Sequence, residues 1–265
     1  MDTNRLKKKF KDGQAAIGAF VRLNSVSMEV LGLTGWDFAI IDVEHGVHTM
    51  EDVSNMIRAA RSVGLTSIVR TPGPEPVNIQ RCLDAGAQGV QVPQLTSLKE
   101  VEDACRAARY YPLGNRGSCP FNASTGYSTV PFPEHMESSN REVMLALHVE
   151  NVWAADNIDK ILEMPGIDVI FCGPYDLSQS MGIPGQTEAP ALMEKMKKVF
   201  AACRAKNVTS GVFASNPEKA GFWAEQGVQY LACSADVHFL AQSLKRAADA
   251  MRAQLAELNG EAPND

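Results

Sequence analysis

The sequence predicts a (β/α)8 TIM barrel. Three observations predict it: eight short apolar runs spaced along the chain, helical periodicity between them, and 265 residues with no linker rich in Pro, Gly or Ser. That length is usual for one barrel. The expected domain is therefore single, residues 1–265.

A lysine-rich segment, residues 1–13, reads as a first helix, because no apolar stretch stands behind it to make a signal peptide. The eight runs follow at 15–22, 38–44, 67–70, 89–93, 144–150, 169–172, 210–214 and 230–233. Most are nearly continuous in apolar residues, as strands buried on both faces must be. Between them, 50–63 opens after Thr49 with Glu51 and Asp52 in its first turn, and 98–109 opens after Ser97 with Glu100. Both are capped helix starts. Residues 191–206 and 217–226 are further helices. Gly35, Gly64, Gly86 and Gly227 stand where helices stop. An open doubly wound sheet is the rival fold, but no GxGxxG follows the first run. Residues 110–143, with Pro112, Gly114, Arg116, Gly117, Pro120, Pro131 and Pro133, read as a long functional loop.

The net charge of −6 gives no electrostatic case for nucleic acid or a membrane surface. No stretch approaches 18 apolar residues, so no spanning helix is expected. The six cysteines fit neither a zinc site nor a disulfide framework, which suits reduced thiols in the cytoplasm. The tail at 259–265 is expected to fray.

Chemistry in such barrels sits where the strands end. Polar residues gather there: Asp42, Glu44 and His45, then Arg70, then His148 and Glu150, then Gly173-Pro174-Tyr175-Asp176, then Ser234 and Asp236. Glu150 and Asp176 end sequential strands and should be neighbours. Two carboxylates plus water suit a hard octahedral cation and leave positions open for a 2-keto acid. Carboxylates capping helix N-termini are the competing reading. His45 is the natural general base, with Asp42 or Asp84 to orient it. Arg70 would hold a substrate carboxylate or a developing enolate. Gly173 and Pro174 would let backbone N–H groups approach a carboxylate.

The blocks GWDFAIIDVEHG (35–46), VRTPGPEPVNIQRCLDAGAQGVQVPQL (69–95), GNRG (114–117) and GIDVIFCGPYDLSQSMG (166–182) resemble the metal-dependent pyruvate aldolases of the HpcH/HpaI aldolase/citrate lyase family. The resemblance runs over nearly the whole chain. It implies His45 as base, Arg70 as enolate partner, and Asp84, within the chain or from a neighbouring subunit, as the group that raises the basicity of His45. It implies Glu150 and Asp176 as ligands of Mg2+, Mn2+ or Co2+, and Tyr175 with the backbone before it as keto-acid contacts. It also implies a trimer of dimers in which the last helix, 237–258, is exchanged between subunits. The sequence departs from the family at His148, where a glutamine that positions the keto acid is usual, and at Ser118-Cys119-Pro120-Phe121-Asn122. His148 is expected to contact the keto acid or add a third ligand. The reaction this implies is retro-aldol cleavage of a 4-hydroxy-2-keto acid to pyruvate, or a close relative, and an aldehyde. Claisen condensation of oxaloacetate with an acyl-CoA, and a barrel without catalysis that serves as a binding protein, are the alternatives.

Overall fold

Each apolar run forms a strand in the computed structural model, which describes residues 3–259. The strands are β1 (Ala16–Val21), β2 (Phe38–Asp42), β3 (Thr66–Arg70), β4 (Gly89–Val92), β5 (Met144–Val149), β6 (Val169–Cys172), β7 (Thr209–Ala214) and β8 (Tyr230–Ala235). They are parallel, pair in chain order, and close β8 on β1. The barrel is thus shown as predicted, with ends displaced by one or two residues.

Side-chain parity decides what fills the barrel and what crowns it. Alternate residues face inward along a strand. Phe38, Ile40, Ile68, Met144, Ala146, Val169, Phe171 and Tyr230 form the inner core. The other parity, Ala39, Ile41, Val69, Leu145 and Leu147 among it, packs outward on the helices. Continuing the inward parity upward gives Asp42 and Glu44 after Ile40, Arg70 after Ile68, and His148 and Glu150 after Ala146. Register then sets Asp42 beside Arg70 and Arg70 beside Gln91. Polar groups therefore crown an aromatic floor.

That floor needs space. Gly18 faces the interior, and a Cβ there would lie 2.1 Å from the Phe38 ring. Gly18→Ala is expected to destabilise the fold by about 3 kcal/mol through overpacking. Urea denaturation measures this, and an unchanged midpoint would contradict the packing. From below, the helix Arg5–Lys11 plugs the barrel with Leu6 and Phe10, and Phe10 meets Tyr230 at 6.2 Å between ring centroids.

The helix at Met50–Ser62 carries a complete Thr49/Asp52 capping box, and that at Leu98–Ala107 a Ser97/Glu100 box. Pro190–Ala205 and Pro217–Glu225 are the other two expected helices. Gly64 and Gly86 end their helices with φ of +72° and +100°, values that a side chain strains to adopt.

The reading of 110–143 as one irregular loop is corrected. Phe132–Glu142 is a helix that starts on Pro131 and carries Pro133 in its first turn. Arg116 ties the rest down. Its guanidinium lies 4.6 Å over the Tyr110 ring, pairs with Asp84 at 2.6 Å and reaches Ser139 Oγ at 3.3 Å.

The last helix, Asp236–Leu258, starts one residue earlier than expected, and only Asp236 on it is buried. Leu240, Leu244, Met251, Leu255 and Leu258 are all exposed. Among the described residues no helix is long and apolar enough to cross a membrane. Of the predicted tail, Asn259 is described and 260–265 lie outside the described residues.

Candidate active site

A cavity of about 550 Å³ opens at the C-terminal mouth of the barrel. His45, Arg70, His148 and Glu150 line it, together with Gly173, Pro174, Tyr175 and Asp176. The strand ends thus bring most of the predicted residues to one place.

Glu150 and Asp176 both flank Gly173. A Cβ built on Gly173 would lie 3.5 Å from Glu150 Oε2 and 3.9 Å from Asp176 Oδ2. The missing side chain is therefore what leaves room between the two carboxylates. The Gln94 N–H donates to Glu150 Oε1 at 2.6 Å, and His148 Nδ1 lies 2.6 Å from Oε2. Burial works to raise the Glu150 pKa; His148, the Gln94 N–H and the Arg70 guanidinium outweigh it and hold the carboxyl below its ordinary range. Each oxygen keeps a lone pair beyond its protein donor. Asp176 stands in the first turn of Pro174–Ser180, a helix with no side-chain cap. Pro174 carries no N–H, and no side chain caps the N–H groups that follow it. Among the described residues no three His, Cys, Asp or Glu side chains converge as a metal cluster. The chemistry of the donor set, two carboxylates with space between them, fits a hard cation completed by water and substrate.

Arg70 is held from two sides. Its Nε and Nη2 donate to the two Asp42 oxygens at 2.9 and 2.8 Å, and Nη1 pairs with Glu44 at 2.8 Å. It also lies 4.7 Å over the Phe20 ring. A guanidinium clamped this way has its planar face and remaining N–H groups fixed before substrate arrives.

Asp42 and Asp84 are not placed as orienters of the His45 ring within one chain. Asp42 is fully buried and spends its oxygens on Arg70, on Arg22 Nε at 2.8 Å, and on the His45 backbone N–H at 3.1 Å. It fixes the main chain that carries the histidine. Asp84 is engaged with Arg116. The carboxylate nearest the ring is Glu44, 3.8 Å from Nε2. His148 lines the cavity too, but it is 2% exposed, its ring stacks on Phe171 at 4.9 Å, and both nitrogens have protein partners. Neither nitrogen is therefore free to ligate a metal.

Several residues at the mouth escaped the sequence reading. Arg22 follows β1 and Gln94 follows β4, so the same strand-end rule finds both. Gln94 also donates to Glu44 Oε1 at 2.8 Å, linking the two acidic residues. Phe213, which meets Tyr175 edge-on at 5.9 Å, sits within an apolar run and carries no such signal.

Charged and imidazole groups gathered over an aromatic floor at the C-terminal mouth place this chain among the catalytic (β/α)8 barrels. It belongs to the HpcH/HpaI aldolase/citrate lyase family, whose model matches residues 16–243. The 5-keto-4-deoxy-D-glucarate aldolase of Escherichia fergusonii is 30% identical over 250 residues, covering 94% of this chain and 97% of that protein. The 2-dehydro-3,6-dideoxy-6-sulfogluconate aldolase of Pseudomonas putida is 29% identical over 86% of this chain and 89% of its own length. The crystal structure of an HpcH/HpaI aldolase from Desulfitobacterium hafniense DCB-2 superposes with a TM-score of 0.90, at 31% identity, over 99% of this chain and all of that one.

Proposed function

We propose that the protein is a metal-dependent aldolase that reversibly cleaves a 4-hydroxy-2-keto acid to pyruvate, or a close relative, and an aldehyde. The observation that carries this reading is that Glu150 and Asp176 both flank Gly173 in the cavity that a clamped Arg70 also lines. Aldolases of the same family, similar over nearly the full chain, favour it above the condensing and non-catalytic alternatives.

Glu150 and Asp176 would hold the cation, Mg2+, Mn2+ or Co2+. When bound, it supplies Lewis-acid polarisation of the 2-keto oxygen. The open N–H groups after Gly173 and Pro174 bind the substrate carboxylate, and Tyr175 flanks it. His45 takes the proton from the C4 hydroxyl. The oxygen lone pair then forms the aldehyde carbonyl as the C3–C4 bond breaks. The released electron pair becomes the C2–C3 enolate, whose negative oxygen is steadied by Arg70. Protonation at C3 gives the methyl group of pyruvate. Asp84, supplied by a neighbouring copy, completes the dyad with His45. The exposed apolar face at 240–258 and exposed Val26, Val30 and Leu33 support exchange of the last helix within a trimer of dimers. Light scattering in solution is expected to give six copies, and a monomer would refute the exchange.

The test of function is pyruvate release from 4-hydroxy-2-keto acids, stimulated by Mn2+ or Mg2+ and abolished by chelator. Pyruvate methyl protons should exchange with deuterium only when the metal is present. No exchange with any metal would sink this reading. Loss of a CoA thioester that requires oxaloacetate would favour the condensing alternative instead.

A further inference from the structure

Behind Glu150 a line of buried polar groups crosses the aromatic floor. The Tyr230 hydroxyl donates to Gln91 Oε1 at 2.9 Å. Gln91 Nε2 meets His148 Nε2 at 2.6 Å, and His148 Nδ1 meets Glu150 Oε2 at 2.6 Å. Tyr230 and Gln91 are fully buried. Packing locks each rotamer: Tyr230 stacks on Phe38 at 4.3 Å, and His148 stacks on Phe171 at 4.9 Å. A Cβ on Gly211 would lie 3.0 Å from Tyr230 Cδ1, so β7 leaves the phenol just enough room.

Donor and acceptor counting fixes every proton in this line. Burial drives the Tyr230 pKa well above its ordinary value, so the hydroxyl keeps its proton. Among the described residues its only acceptor is Gln91 Oε1. The Gln91 amide must then point its NH2 at His148, whose Nε2 accepts. The remaining ring proton sits on Nδ1 and is given to Glu150. Turning the amide over would orphan the buried Tyr230 O–H, at a cost of about 1–3 kcal/mol.

We propose that Tyr230, Gln91 and His148 form a buried chain that orients the Glu150 carboxylate for the metal, with His148 a positioning residue that acts on the metal through Glu150. This rests on the metal reading above. The arrangement does for a carboxylate ligand what an outer carboxylate or carbonyl does for a metal-bound histidine. With Gln94 N–H on one oxygen and His148 Nδ1–H on the other, the carboxylate cannot rotate. Its remaining lone pairs are left for the metal.

Two measurements test this. The first is nitrogen-15 NMR of metal-free protein with labelled histidine, the His148 signals being assigned by their loss in His148→Gln. The expected result is a proton on Nδ1 and none on Nε2. A proton on Nε2, alone or with Nδ1, overturns the proposal. The second is Mn2+ affinity by electron paramagnetic resonance in Tyr230→Phe and Gln91→Leu. The expected loss is about tenfold for the first and about 10–100-fold for the second, with unchanged circular dichroism. Tyr230→Phe removes one oxygen and keeps the ring packing, so it reports even if Gln91→Leu misfolds. Affinity within twofold of wild type in Tyr230→Phe overturns the proposal. Failure of wild type to bind Mn2+ at all would instead condemn the metal reading on which the proposal stands.

Discussion

Glu150→Gln is expected to lower metal-dependent turnover by at least about 10³-fold while the barrel stays folded. The substitution is isosteric, so packing changes little. Its electrostatics change twice. One negative charge leaves a site where two carboxylates face each other across Gly173. In addition, an amide NH2 replaces one acceptor oxygen. The new amide has two donors to satisfy, Gln94 N–H and His148 Nδ1–H, and only one oxygen to offer. One of those buried donors loses its partner, so stability should fall by about 1–3 kcal/mol. The expected pattern is loss of pyruvate release with a cooperative melt retained. Turnover within tenfold of wild type would sink the assignment of Glu150 to the metal.

The strands were legible because a sheet covered on both faces needs continuous apolar runs, and 169–172 reads to the residue. The mouth of the barrel was legible for a related reason. A charged residue ending an apolar run has few places to be except the rim. Three features resisted. The helix Phe132–Glu142 was hidden by Pro131 and Pro133, which read as loop, although proline in a first turn is also a start signal. Its polar, exposed face gave no other cue. Asp42 does not serve the His45 ring, because strand-end position locates a carboxylate without saying which neighbour claims it. Arg70 and Arg22 outcompete the imidazole for Asp42. His148 reaches the cavity by the inward parity it shares with Glu150. Parity does not tell that both of its ring nitrogens are engaged there, by Gln91 and by Glu150.

Asp42→Asn is expected to destabilise the protein by about 3 kcal/mol at neutral pH, since it leaves a buried guanidinium short of its two-point partner. The figure is at the low end for a broken buried pair because Glu44 remains on Nη1. In a chain of this size that corresponds to a fall of about 6–12 °C in Tm. The wild-type pH dependence has a definite sign. Burial raises the Asp42 pKa, but Arg70, the His45 N–H and Arg22 prevail, so the folded value lies below the ordinary 3.8. A depressed folded pKa stabilises the protein above the unfolded value, and that stability is lost as pH falls through the folded one. Wild type should therefore show a falling urea midpoint below about pH 4. Asp42→Asn should start lower and lack that part of the acid slope. Because Asp42 also holds the His45 main chain, the same variant should slow retro-aldol turnover at pH values where it is fully folded. A variant that matched wild type in both midpoint and acid slope would mean that Glu44 alone holds Arg70, leaving the Asp42 clamp without energetic weight.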